Sequence, residues 1–244
     1  MSSDRITKRQ PSSPVMVLPD GTNVVARPGT KGKIQRRALD LCFVFDTTGS
    51  MSNKIDGLVR CMDELVTQLG RLALDWRMTT VPFGDLTVPG DLIMSDEPFV
   101  TDAASATQQL RSMRRFSGGG NLGESSVEAM LAACRKPYRS EAVKVVVLIT
   151  DEPALGFEQG QHSVNSALAS LDAACFTVAP DLSYYKRWAS QHGGEWRQVG
   201  ASVDTSAIMR LFTSLLTRVV EVVDSVHRLG GGSVRAYLDQ GGSA

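Results

Sequence analysis

The chain has 244 residues, of which 42% are hydrophobic, and its 26 Lys and Arg balance 26 Asp and Glu. That length suits one large domain with extensions, and the apolar share is enough for a full core. There is no apolar run of 18 or more residues, so no membrane span is expected.

Charge is unevenly spread. Residues 1–38 carry eight Lys or Arg against two acids, which leaves the remainder with 18 basic and 24 acidic residues. A basic extension can reach nucleic acid or an acidic partner. No aromatic residues accompany these charges to stack on bases, so a nucleic-acid role is the lesser expectation. The opening MSSDRITKRQPSSP lacks the apolar stretch of a secretory signal. Cys42, Cys61, Cys134 and Cys175 show no CxxC spacing and read as buried free thiols. Together these features predict a cytoplasmic protein.

In chain order, a hairpin is expected over 14–29 of the basic extension 1–38, with Pro19-Asp20-Gly21 as its turn. An apolar strand is predicted over 39–46. The helix after it runs to about Gly70, with Ile55, Leu58, Val59, Met62, Leu65, Val66 and Leu69 on one stripe. Further strands are predicted at Trp76–Phe83, Glu97–Val100 (antiparallel), Val143–Thr150, Cys175–Val178 and Glu195–Val199. Helices are expected from Asp102 to about Met113, after the glycines to Cys134, over Ser163–Ala173, around Tyr184–Gln191, and from Thr205 to Val226. Alternating strands and helices imply an α/β fold, with a doubly wound, mainly parallel central sheet and helices on both faces. This domain would span 39–229. The Gly-rich tail 230–244 reads as flexible, with one apolar island, Val234–Leu238, able to dock on a partner.

The stretch LDLCFVFDTTGSMSNK, 39–54, carries the chemistry. Its apolar run ends at an acid, and side-chain oxygens then fall at alternate positions: Asp46, Thr48 and Ser50. Ligands of parallel sheets bind at the carboxyl ends of strands. An all-oxygen donor set there suits a hard cation, Mg²⁺ above all, with Mn²⁺ or Ca²⁺ as alternatives.

DTTGS resembles the D-x-[ST]-x-S signature of the von Willebrand factor A domain, its metal-ion-dependent adhesion site (MIDAS). FSGGGNLGES, 116–125, resembles that family's second loop, VKVVVLITDEP, 143–153, its third, and VPFGDLT, 81–87, the end of its second strand. The resemblance implies a Rossmann-like fold and a metal set of Asp46, Thr48, Ser50, Asn121 and Asp151. Asn121 stands where many members have Thr and some bacterial intracellular members have Asp, so it supplies an oxygen without charge. By the same resemblance, the chain is a magnesium-dependent protein–protein interaction module. A partner's Asp or Glu would complete the metal's coordination. The TTGSM and GGGN variants are most similar to bacterial cytosolic members that work in multi-protein stress or defence systems.

Other assignments compete. Asp46 and Thr48 could simply cap a helix. No GxxxxGK[ST] or GxGxxG pattern supports a nucleotide site. Glu124 and Glu152 could approach the cation, directly or through water, but read first as solvent-facing or helix N-terminal acids; Asp85, ending the second strand, is a lesser candidate for the site's outer neighbourhood. His162, His192 and His227 fall far from the three loops in sequence, and no nucleophile–base pair is evident, so an enzyme is not expected. The rival is a metal-dependent, phosphoesterase-like hydrolase using Glu152 or Asp85 as base. A nucleic-acid binder acting through the basic extension is the third possibility.

Overall fold

The computed structural model describes residues 15–17, 23–25, 37–51, 54–57, 59–61, 65, 69, 74–118, 123–155, 158–199 and 205–242. The chain divides into two units, Met1–Gln35 and Arg36–Ala244. In the first, β1 (Val15–Val17) pairs antiparallel with β2 (Asn23–Val25). The Pro19-Asp20-Gly21 turn lies outside the described residues.

The second unit is built on five parallel strands: β3 (Ala38–Asp46), β4 (Asp75–Phe83), β5 (Val143–Ile149), β6 (Ala173–Ala179) and β7 (Trp196–Gln198). Their order across the sheet is β4-β3-β5-β6-β7. The sheet is all-parallel because each pair of strands is joined through a helical crossover. β3 and β6 are buried along their whole length and β5 at every residue but Lys144, which is why their sequences read as largely continuous apolar runs rather than alternating ones.

Alternate side chains still go to opposite faces. Leu39, Leu41, Phe43 and Phe45 of β3 join Val143, Val145, Val147 and Ile149 of β5 in one core. Covering that face are α1 (helical at 54–57, 59–61, 65 and 69), α2 (Ala103–Arg111) and α6 (Thr205–Leu229). Cys42, Val44, Val146 and Leu148 point the other way, under α3 (Ser126–Cys134), α4 (Glu158–Leu171) and α5 (Ser183–Ser190). Cys42, Cys61, Cys134 and Cys175 are all free thiols.

Three expectations change. Glu97–Val100 forms no strand; it contributes an isolated antiparallel bridge, Met78 to Val100, beside β4. The helix expected at 163–173 starts earlier, at Glu158. The tail read as flexible instead forms α7, Val234–Asp239. Ser233 caps it by accepting the Ala236 N–H, and Val234 and Tyr237 are buried in the first core. The apolar island thus docks on its own domain, because residues at i and i+3 share one helical face.

At the opposite end of the sheet from the DTTGS loop, the buried Asp40 accepts two bonds from Arg77 and two from Arg139, at 2.7–2.8 Å. A fully buried carboxylate needs such compensation. This network ties β3 and β4 to the chain leading into β5.

Candidate metal centre

Asp46 is the last residue of β3, and its register partner on β4 is Phe83. On the other side Phe45 pairs with Ile149, so Asp46 faces Thr150 at the tip of β5. Both Asp46 oxygens are engaged. Oδ1 accepts the Thr48 N–H at 3.0 Å and the Thr48 hydroxyl at 2.7 Å, and Oδ2 accepts the Thr150 hydroxyl at 2.8 Å. Burial pushes the Asp46 carboxyl up to about 6, while these hydrogen bonds pull the other way.

A 3-10 turn over Gly49–Met51 follows, pinned by the buried Met51 side chain. It carries Ser50 to Asp151, whose Oδ1 accepts the Ser50 hydroxyl at 3.0 Å. Asp151 Oδ2 receives the Lys54 ammonium at 2.6 Å. The structure therefore gathers Asp46, Thr48, Ser50 and Asp151 around the tips of two adjacent strands. Asn121 lies outside the described residues.

The second loop packs against the first. Phe116 N–H donates to the Thr47 carbonyl, while Ser117 and Gly118 N–H groups donate to Asp91. Gly118 has φ +71, and a Cβ there would stand 3.1 Å from Glu124 Oε1 and 3.2 Å from Thr48 Cβ. Only glycine combines that backbone with so close an approach. The same contacts set the Glu124 carboxylate beside Thr48.

Glu124 is the residue the sequence placed wrongly. Instead of facing solvent it is 4% exposed, and its Oε2 has no hydrogen-bond partner among the described residues. A parallel bridge to Ala154 turns it inward: Glu124 N–H donates to Pro153 O, and Leu155 N–H donates to Glu124 O. Burial, followed by the charges of Asp46, Asp85, Asp91 and Glu152, pushes its carboxyl up to about 8. A buried carboxylate oxygen without a partner, on an acid raised this far, makes Glu124 a candidate site residue. Its spacing, three residues after Asn121, was the only available signal.

Asp85 is buried, and its Oδ1 accepts the Thr87 N–H and hydroxyl, so it shapes its own loop. Asp91, which the sequence did not single out, bridges the loops by accepting Asp85 N–H as well as Ser117 and Gly118 N–H. Glu152 is half-buried, and its carbonyl accepts the Tyr185 hydroxyl.

A family model of the von Willebrand factor type A domain matches residues 40–185, which takes in all three loops. The chain belongs to this family. No curated protein matches it. Domains of the von Willebrand factor A family act in protein–protein interaction, often metal-dependently, and commonly bind divalent ions at the MIDAS. The parallel five-stranded sheet is consistent with the family's Rossmann-like fold. Among the described residues no helix is long and apolar enough to cross a membrane.

The residues present fit a hard cation. Each of two carboxylates accepts a hydroxyl, Asp46 from Thr48 and Asp151 from Ser50, and the Glu124 Oε2 lacks a partner among the described residues. In this structure, however, no three His, Cys, Asp or Glu side chains among the described residues form a ready metal-holding group. Asp46 is held by its threonines and Asp151 by Lys54 and Ser50.

Proposed function

We propose that the chain is a metal-ion-dependent protein-interaction module. Asp46, Thr48, Ser50 and Asp151, with the Asn121 carbonyl, would hold Mg²⁺, or alternatively Mn²⁺ or Ca²⁺, and Glu124 adds a third carboxylate. The ion would supply an open position for an Asp or Glu of a protein partner. The observation that carries this reading is that Asp46 and Asp151, at the tips of the neighbouring strands β3 and β5, each accept a hydroxyl of the DTTGS loop, Thr48 on Asp46 and Ser50 on Asp151. Charge also fits. Lys54 offsets one carboxylate, so a divalent ion leaves the site neutral with Glu124 ionised and singly positive with Glu124 protonated, and a partner carboxylate can enter either way. We infer from the DTTGSM and GGGN resemblance that the module serves a bacterial, cytoplasmic multi-protein stress or defence system, without catalytic activity of its own. Affinity capture of partners in Mg²⁺ against EDTA tests the reading. Partners retained equally in both, and equally by Asp151→Ala, would contradict it.

One observation favours the hydrolase rival. Its base would be Glu124 rather than Glu152 or Asp85: Glu124 is buried with an Oε2 that has no partner among the described residues, and its carboxyl is raised to about 8, so it can exchange a proton near the physiological range. Turnover of generic phosphate esters by the purified chain with Mg²⁺, lost in Glu124→Gln, would establish that rival instead.

A further inference from the structure

We propose that Lys54 is a built-in competitor for the divalent cation: a tethered ammonium on α1 that holds the Asp151 carboxylate until the ion takes it. This rests on the metal reading above. Lys54 Nζ lies 2.6 Å from Asp151 Oδ2 and 3.3 Å from the Ser50 carbonyl, and it donates to both. The two side chains of the pair are 3% and 2% exposed. The remaining Asp151 oxygen accepts the Ser50 hydroxyl. One positive charge therefore engages a proposed metal ligand directly and grips the backbone of a second.

An exposed ion pair would offer no real competition, since water and salt screen it. A sealed pair is different. Its attraction is strong, and it cannot be broken without giving both charges another partner. A divalent ion arriving at Asp151 has to share the carboxylate with the ammonium or displace it. Either way, like charges a few ångströms apart in a poorly solvated site oppose loading. Asp46 and Asp151, joined by Glu124 once it is deprotonated, offer the negative charge, and Lys54 cancels one unit of it. Removing the ammonium returns that charge to the site. Lys54 thus lowers the site's intrinsic affinity and makes loading an exchange of one cation for another. A lysine that only neutralised Asp151 for folding would leave metal affinity unchanged when replaced.

The test is Mn²⁺ titration calorimetry on the full-length wild type, Lys54→Met and Asp46→Ala, with thermal melting in EDTA and in Mn²⁺. Lys54→Met should bind Mn²⁺ roughly tenfold or more tightly than wild type. It should also melt lower than wild type in EDTA and be raised further by Mn²⁺. Equal affinity in wild type and Lys54→Met, with binding lost in Asp46→Ala, would overturn the role of Lys54 and leave the metal site standing. Binding indifferent to Asp46→Ala would overturn the metal reading and this inference with it. Should Lys54→Met fail to fold, ¹⁵N-lysine NMR of the wild type decides. The Lys54 ammonium resonance should shift with Mg²⁺ occupancy. A fixed resonance while the Thr48 amide responds would overturn the proposal.

Discussion

The Thr150 hydroxyl donates to Asp46 Oδ2 at 2.8 Å and so fastens the tip of β5 to the tip of β3. With Thr48 on the other oxygen, the carboxylate is held in one orientation by residues that closely follow β3 and β5. A ligand on rigid elements keeps its geometry better than one on a free loop. The flanking loops then bring hydroxyls and acids to a fixed point.

Glu124→Gln should have effects of opposite sign on stability and on metal binding. Replacing the buried, repelled acid with a neutral isostere removes its conflict with Asp46, Asp85 and Asp91. The variant should melt higher than wild type at pH 8 in EDTA and bind Mn²⁺ at least about tenfold more weakly. Unchanged Mn²⁺ affinity by calorimetry would remove Glu124 from the ligand set.

Stability in EDTA should fall as pH rises. Glu124 is raised from 4.5 to about 8 and Asp46 from 3.8 to about 6. Raised carboxyls mean the folded state binds these protons more tightly than the unfolded state. The stabilisation is complete below the unfolded values and is lost as pH climbs through the folded ones. The melting temperature should decline from roughly pH 4.5 to 8, less steeply in Glu124→Gln. A melting temperature that rises across that window would contradict the environment assigned to Glu124.

Gly118→Ala tests the close approach of the second loop. At φ +71 an alanine costs on the order of 1–2 kcal/mol in backbone strain. Its Cβ would also press on Glu124 Oε1 and Thr48. Urea denaturation should show a loss of that size, with weakened Mn²⁺ binding. Full affinity would mean that Gly118 serves only the turn.

Asp40→Ala should destabilise the domain without touching the metal centre. It leaves Arg77 and Arg139 facing each other with only 20% and 22% of their side chains exposed. Removing one member of such a network costs about 3 kcal/mol. Urea denaturation reads the loss, and Mn²⁺ affinity of the folded fraction should match wild type.

The strands and their parallel arrangement were legible because β3, β5 and β6 are buried on both faces, which leaves an unmistakable apolar run. The placement of Asp46 and Asp151 at the tips of adjacent strands was legible too, since each closes an apolar run. Glu124 was not, because an acid before a helix ordinarily faces water, and only the bridge to Ala154 turns it inward. Nothing in the sequence signals the Lys54–Asp151 pair, because a lysine beside the apolar stripe of α1 ordinarily faces water and its partner lies 97 residues away. The α7 helix was hidden by its glycines, although Ser233, Val234 and Tyr237 carried a cap and an i, i+3 pair.

The most direct test of the metal centre is a Mn²⁺ titration followed by electron paramagnetic resonance, comparing wild type with Asp46→Ala. Circular dichroism would check that the variant is folded. The account predicts that wild type takes up Mn²⁺ and that Asp46→Ala loses at least about tenfold in affinity while keeping its fold, since the change removes a charge beside a divalent ion. Equal uptake by the two proteins would contradict it and remove the cation from the tips of β3 and β5.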